Sequence, residues 1–176
     1  MKYAPLLVLG LALVAGCSTA APTAPRQAPQ AATMEADATY KLEDVLGIGP
    51  KYAEFLREAG VTSIAKLVAQ TETRQERQQL ARETGIPYGN VLHIARKVQL
   101  MEIRGIGVRT SNLLEAVGVD GVKELAQRRA DNLHARLLLA NHIGRPFLKQ
   151  DPSLPMVERW IAEAKEMVSA GKAIEE

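Results

Sequence analysis

The hydrophobic pattern of this chain is written twice. Leu42, Val45, Ile48, Phe55, Leu56, Val61, Ile64 and Leu67 fall without a gap on Leu100, Ile103, Ile106, Leu113, Leu114, Val119, Val122 and Leu125. Glycines coincide in the same register, Gly47, Gly49 and Gly60 over Gly105, Gly107 and Gly118. Self-similarity of this kind marks a duplicated supersecondary unit and governs how every other segment is read. Each copy predicts a helix, a tight Gly-hydrophobic-Gly turn, a second helix, a stop and a short capped helix. Gly60 and Gly118 are the stops, because glycine tolerates the left-handed backbone just past a helix end. Pro50 opens the first copy's second helix, where a missing amide hydrogen costs nothing. Thr62 and Asp120, both good N-cap types, are expected to cap the short helices.

Longer helices surround the two copies. Thr73-Arg74-Gln75-Glu76 has the form of a capping box and starts a helix ending near Gly85. The next helix, over 88–100, carries Val91, Leu92, Ala95 and Val98 on one apolar stripe. The second copy's counterparts lie at about 132–141 and 154–170, after an insertion over 143–152 breaks the strict spacing. Trp160-Ile161-Ala162 then overlays His93-Ile94-Ala95, so His93 stands where the repeat calls for an aromatic residue. No segment shows the alternation of a strand, and the fold class expected is all-α.

Ahead of this domain the composition changes. Lys2 precedes an apolar stretch over 3–14, within the ~7–15 residues of a secretory signal core and short of the ~20 a spanning helix needs. It ends in Val14-Ala15-Gly16-Cys17, which resembles the lipobox of bacterial lipoproteins. That resemblance implies cleavage after residue 16 and diacylation, palmitate included, of Cys17, the chain's single cysteine. With one cysteine, no intramolecular disulfide is available. Two or three acyl chains, at ~0.8 kcal/mol per buried methylene, would hold the protein on a membrane almost permanently. Ser18, where inner-membrane retention calls for Asp, favours the outer membrane facing the periplasm. Residues 17–39, rich in Ala, Pro and Thr, have too little apolar surface to offset chain entropy and read as a flexible tether. The division expected is therefore signal 1–16, lipidated tether 17–39 and folded domain 40–170, with repeats at about 40–99 and 100–170.

The duplicated turns carry a resemblance of their own. Leu42-x-x-Val45-x-Gly47-Ile48-Gly49-x-x-x-Ala53-x-x-Leu56 is similar to the helix-hairpin-helix motif, and the copy from Leu100 to Leu114 nearly matches it, with Ser111 in place of the alanine. In DNA-binding members of that superfamily the turn amides face a phosphate near a helix N-terminus. The candidate contact residues, for a phosphate or a protein partner, are Gly47, Ile48, Gly49 and Lys51 in the first copy. Their counterparts are Gly105, Ile106, Gly107 and Arg109. The same glycines also serve simple packing, and Ile48 and Ile106 plug the core in either case. From about Leu42 to Met167 the chain resembles the family catalogued as domain of unknown function 4332. Its carriers here include Ala59-Gly60-Val61, Val122-Lys123-Glu124-Leu125-Ala126, Asn132-Leu133-His134 and Trp160-Ile161-Ala162. The resemblance implies tandem helix-hairpin-helix (SAM-like) units in one compact domain, and no activity.

Charge and chemistry narrow the function. With 22 basic and 20 acidic residues the net charge is +2, no strong footprint for nucleic acid. His93, His134 and His142 form no ligand set, and no Walker loop or nucleophile triad is present, so no catalytic residue, metal, cofactor or small-molecule substrate is expected. Two readings remain. The preferred one is a non-enzymatic envelope lipoprotein whose helical domain mediates protein interaction or scaffolding. The other is extracytoplasmic DNA binding through the hairpin turns. Pro50, without an amide hydrogen, speaks against DNA, while Arg104, Arg109, Arg128 and Arg129 speak for it.

Overall fold

Residues 40–174 are described by the computed structural model; the export signal, Cys17 and the tether expected before them lie outside that range. After a single 3-10 turn, Leu42–Asp44, come eight helices: α1 Pro50–Glu58, α2 Ile64–Ala69, α3 Arg74–Thr84, α4 Tyr88–Leu100, α5 Val108–Ala116, α6 Val122–Ala126, α7 Ala130–His142 and α8 Leu154–Ser169. No strand occurs among the described residues. None of these helices is long and apolar enough to cross a membrane.

The repeat is a repeat of backbone geometry. At the end of α1, Gly60 (φ +84°) sits just past the C-cap. Its amide donates to the Arg57 carbonyl at 2.9 Å, and the Val61 amide donates to Leu56 at 2.8 Å. At the end of α5 the same pair recurs: Gly118 (φ +79°) to Glu115 at 2.8 Å and Val119 to Leu114 at 2.9 Å. Both are Schellman ends, with the residue after glycine folding its apolar side chain back under the helix. The hairpin turns match as well: Ile48 donates to Val45 and Ile106 to Ile103, each at 3.0 Å.

Each copy closes its own core. One gathers Leu42, Val45, Ile48, Leu56, Val61, Ile64 and Leu67 with Val91, Ile94 and Val98 of α4. The other gathers Leu100, Ile103, Ile106, Leu114, Val119, Val122 and Leu125 with Val157, Trp160 and Ile161 of α8. Helix α2 packs on α4 as α6 packs on α8, and α4 also touches α5 and α6. The single helix α4 thus serves as wall to the first core, lends Leu100 to the second, and joins the two.

Two expectations need correction. The first helix of each hairpin unit is abbreviated: in the first copy it is the 3-10 turn alone, since Val45 is already extended (φ −81°, ψ 118°). The short-helix caps also lie one residue later than Thr62 and Asp120. Ser63 caps α2, accepting from the Lys66 amide at 3.3 Å, and Gly121 begins α6 without a side-chain cap. Space explains the glycine. A Cβ there would lie 3.3 Å from Cβ of Arg96 on α4 and 3.1 Å from a Glu124 oxygen, so α6 starts pressed against the connecting helix. The capping box at Thr73 forms as expected, with Thr73 donating to Glu76 at 2.8 Å and accepting back at 3.2 Å.

Candidate functional site

The hairpin turns are built from the inside outward. Ile48 and Ile106 are 1 % and 0 % exposed, so their side chains are core and offer a ligand backbone only. Gly47 (φ +93°) and Gly105 (φ +89°) occupy the left-handed region that favours glycine. Gly49 and Gly107 do not; they serve as N-caps of α1 and α5 with extended backbone. Against the left-handed glycines stand the two residues that overlay in sequence. His93 lies 3.5 Å from where a Gly47 Cβ would be, and the Trp160 indole nitrogen 3.3 Å from that of Gly105. His93 therefore holds the place of the expected aromatic, packing against its own hairpin as Trp160 packs against the other.

The amides just ahead of the turns bear on the phosphate alternative. The Leu46 amide, just before the first turn's glycine, donates to Asn112 Oδ1 of α5 at 3.1 Å. Its counterpart, the Arg104 amide, donates to the Glu163 carboxylate of α8 at 2.9 Å. In both copies a side-chain oxygen of the protein takes the amide that precedes the turn's first glycine. Asn112 also donates to the Asp44 carbonyl at 2.9 Å, so one side chain of the second copy clamps the first copy's turn from two sides. Lys51 and Arg109 are exposed. The Lys51 ammonium lies over the Phe55 ring, 5.6 Å from its centroid.

Beneath the first turn is a polar cluster that hydropathy alone does not reveal. Lys97 of α4 has only 1 % of its side chain exposed. Its ammonium donates to the Leu46 carbonyl at 2.9 Å and to Glu115 of α5. The other Glu115 oxygen is 3.1 Å from His93 Nε2. Burial pushes the Lys97 pKa down, and the hydrogen bond and charge of Glu115, then Asp120, pull it back toward the ordinary value. Together these groups pin the first hairpin to the second copy.

A cleft of about 990 Å³ opens elsewhere between the copies. Val98, Met101, Ile103 and Met167 form its apolar lining, with Glu72, Glu102, Glu163 and Glu166 among its polar residues. Arg104, which with Arg109 flanks the second turn, also lines this acidic cleft. Glu102 is exposed as a residue, yet enclosure of its carboxyl raises its pKa above the usual carboxylate value, and the nearby Glu72 charge adds to the effect. A carboxyl so raised destabilises the fold while ionised and is neutral in effect once both states are protonated below pH 4.5. Glu102→Gln should accordingly raise Tm slightly at pH 7, and the gain should vanish as pH falls through the raised pKa to 4.5; thermal melts across that window check it. Equal Tm values at pH 7 would contradict the assignment.

The remaining histidines have structural partners. His134 is 3.0 Å from the Pro152 carbonyl and His142 is 2.8 Å from Asp151, while Asn141 donates to Asp151 at 2.8 Å. These contacts staple the insertion over 143–152 to α7. Among the described residues no group of three or more His, Cys, Asp or Glu side chains is arranged to hold a metal.

A family model described as a domain of unknown function, DUF4332, matches residues 46–167. The chain belongs to the DUF4332 family. No curated protein and no solved structure matches it. The DUF4332 segment runs from the first hairpin turn to the third-last residue of α8, so both turns, the Lys97 cluster and most of the cleft lining fall inside it. Sequence reasoning missed Lys97, Asn112, Gln99 and Glu163 as organising residues. For Lys97 a signal existed: it stands three residues after Ile94 and four before Met101, on the buried side of α4.

Proposed function

We propose that this protein is a non-enzymatic bacterial envelope lipoprotein, tethered through acylated Cys17, whose DUF4332 domain is a protein-interaction or scaffolding module. The observation that carries the reading is the side-chain oxygen bonded just ahead of each hairpin turn. A phosphate approaching the second turn would meet the Glu163 carboxylate already on the Arg104 amide. The first turn presents Leu46, a large apolar side chain 45 % exposed, where a phosphate site would place a donor or a cation. At the first turn, an apolar tip clamped by an internal side chain suits contact with protein better than contact with a polyanion. The lipobox and the near-neutral charge support the envelope side of the reading, with the outer membrane facing the periplasm favoured by Ser18.

Two measurements test it. Cys17→Ala should abolish incorporation of labelled palmitate and release the chain from the membrane fraction; undiminished labelling would refute the anchor. Labelled duplex DNA, titrated with the protein at two salt concentrations, should show no specific binding. Salt-sensitive binding lost in Lys51→Ala/Arg109→Ala would instead establish DNA as the ligand, because counterion release demands that dependence.

A further inference from the structure

The cleft between the copies has the chemistry of a peptide seat. At one end it already holds one: the non-helical stretch after α8, Gly171 to Ile174, lies against α4. The Gln99 side chain grips that backbone at both polarities, donating to the Lys172 carbonyl at 2.7 Å and accepting from the Ile174 amide at 2.9 Å. Ile174 at the cleft wall is 8 % exposed, while the Lys172 charge acts favourably on Glu102. The cleft thus takes aliphatic side chains inward and sets a lysine by its carboxylates. Alongside this stretch about 990 Å³ remains open, at the upper end of the ~300–1,000 Å³ usual for ligand sites.

Charge selects what would fill it. The lining sets four carboxylates, Glu72, Glu102, Glu163 and Glu166, against two cations, Arg104 and Lys172. Glu163 is already engaged by the Arg104 amide. We propose that this cleft docks a short, non-helical segment of a partner protein carrying Lys or Arg beside aliphatic residues. Its cations would meet Glu72, Glu102 and Glu166, and its aliphatic side chains would meet Met167, over a floor of buried Val98 and Met101. Backbone groups left unpaired on such a segment find polar partners at the rim, as Lys172 and Ile174 find Gln99. This rests on the interaction-module reading above and names the surface and the partner chemistry for it.

The test uses the full chain in a mild non-ionic detergent and a fluorescent peptide alternating lysine and isoleucine, with a glutamate-isoleucine peptide as control. Anisotropy should rise saturably for the lysine peptide alone. Glu72→Gln/Glu166→Gln should weaken it about fivefold, as expected for two rim charges of modest worth each, with the thermal melt showing that the variant stays folded. Equal binding of both peptides, unchanged affinity of the variant, or equal competition by free spermidine would overturn the assignment. Photocrosslinking in the envelope from position 166 and from position 109 separates this from the broader reading. Capture of one protein from 109 but not from 166 removes the cleft and leaves the interaction module standing; capture from neither removes both.

Discussion

Replacing Trp160 with alanine should cost the domain about 3–5 kcal/mol, the largest loss expected of any single substitution in it. The residue is 1 % exposed and is the largest of the fully buried side chains. It fills the space between α8 and the second hairpin, with its indole nitrogen held against Gly105. Truncation would leave a cavity in the second core, which the left-handed turn at Gly105 is poorly placed to close. Because α4 contributes to both cores, the damage should not stay in the second copy. A single transition shifted to lower urea is expected, followed by far-UV circular dichroism since the chain has one tryptophan and the variant has none. Two separated transitions, or a loss under about 1 kcal/mol, would show that the copies are less coupled than their shared helix implies.

Lys97→Ala comes second, at about 3 kcal/mol. The change removes the donor to the Leu46 carbonyl and the partner of Glu115, leaving a carbonyl and a carboxylate facing the space vacated by a buried stem. Glu115 keeps 23 % of its side chain exposed, so water relieves part of the penalty and the cost stays near the lower end for broken buried pairs. Lys97→Met with Glu115→Gln should recover most of it, since an apolar stem without an orphaned charge is well tolerated in such places. A double-mutant cycle in urea reads the coupling directly. Additive losses would mean that the pair is incidental to the junction. Lys97→Arg should not rescue: the planar guanidinium is larger than the ammonium and cannot be placed in the same narrow seat without displacing Leu46 or Glu115.

The fold was legible because its instructions are local and are given twice. Gly60 and Gly118 end helices by the same backbone device, and the paired apolar positions from Leu42 to Leu67 and from Leu100 to Leu125 reappear as paired core positions. Legibility failed wherever a polar side chain works across the junction of the copies. Asn112 and Glu163 look like solvent contacts on amphipathic helices, and nothing in their own neighbourhoods tells that each caps a turn amide many residues away. Gln99 is hidden for the same reason, its partners being Lys172 and Ile174. In the second copy the start of α6 falls on Gly121 rather than Asp120, where the helix is pressed against Arg96 of α4. At the hairpins the glycine pattern located the turns correctly but is silent on what occupies their amides, and only the packed structure brings Glu163 and Asn112 to them.

The overlap of the two cores on α4 also sets an order of assembly for a chain that emerges amino end first. Every member of the first core lies between Leu42 and Val108, so that half can close while the rest is still arriving. The second core reaches from Leu100 to Ala173 and must wait for nearly the whole domain. By then Leu100, Ile103 and Ile106 are already held on the end of a finished half. During synthesis the first copy acts as a template on which the second is laid down, so a lesion in the first should delay the closing of both.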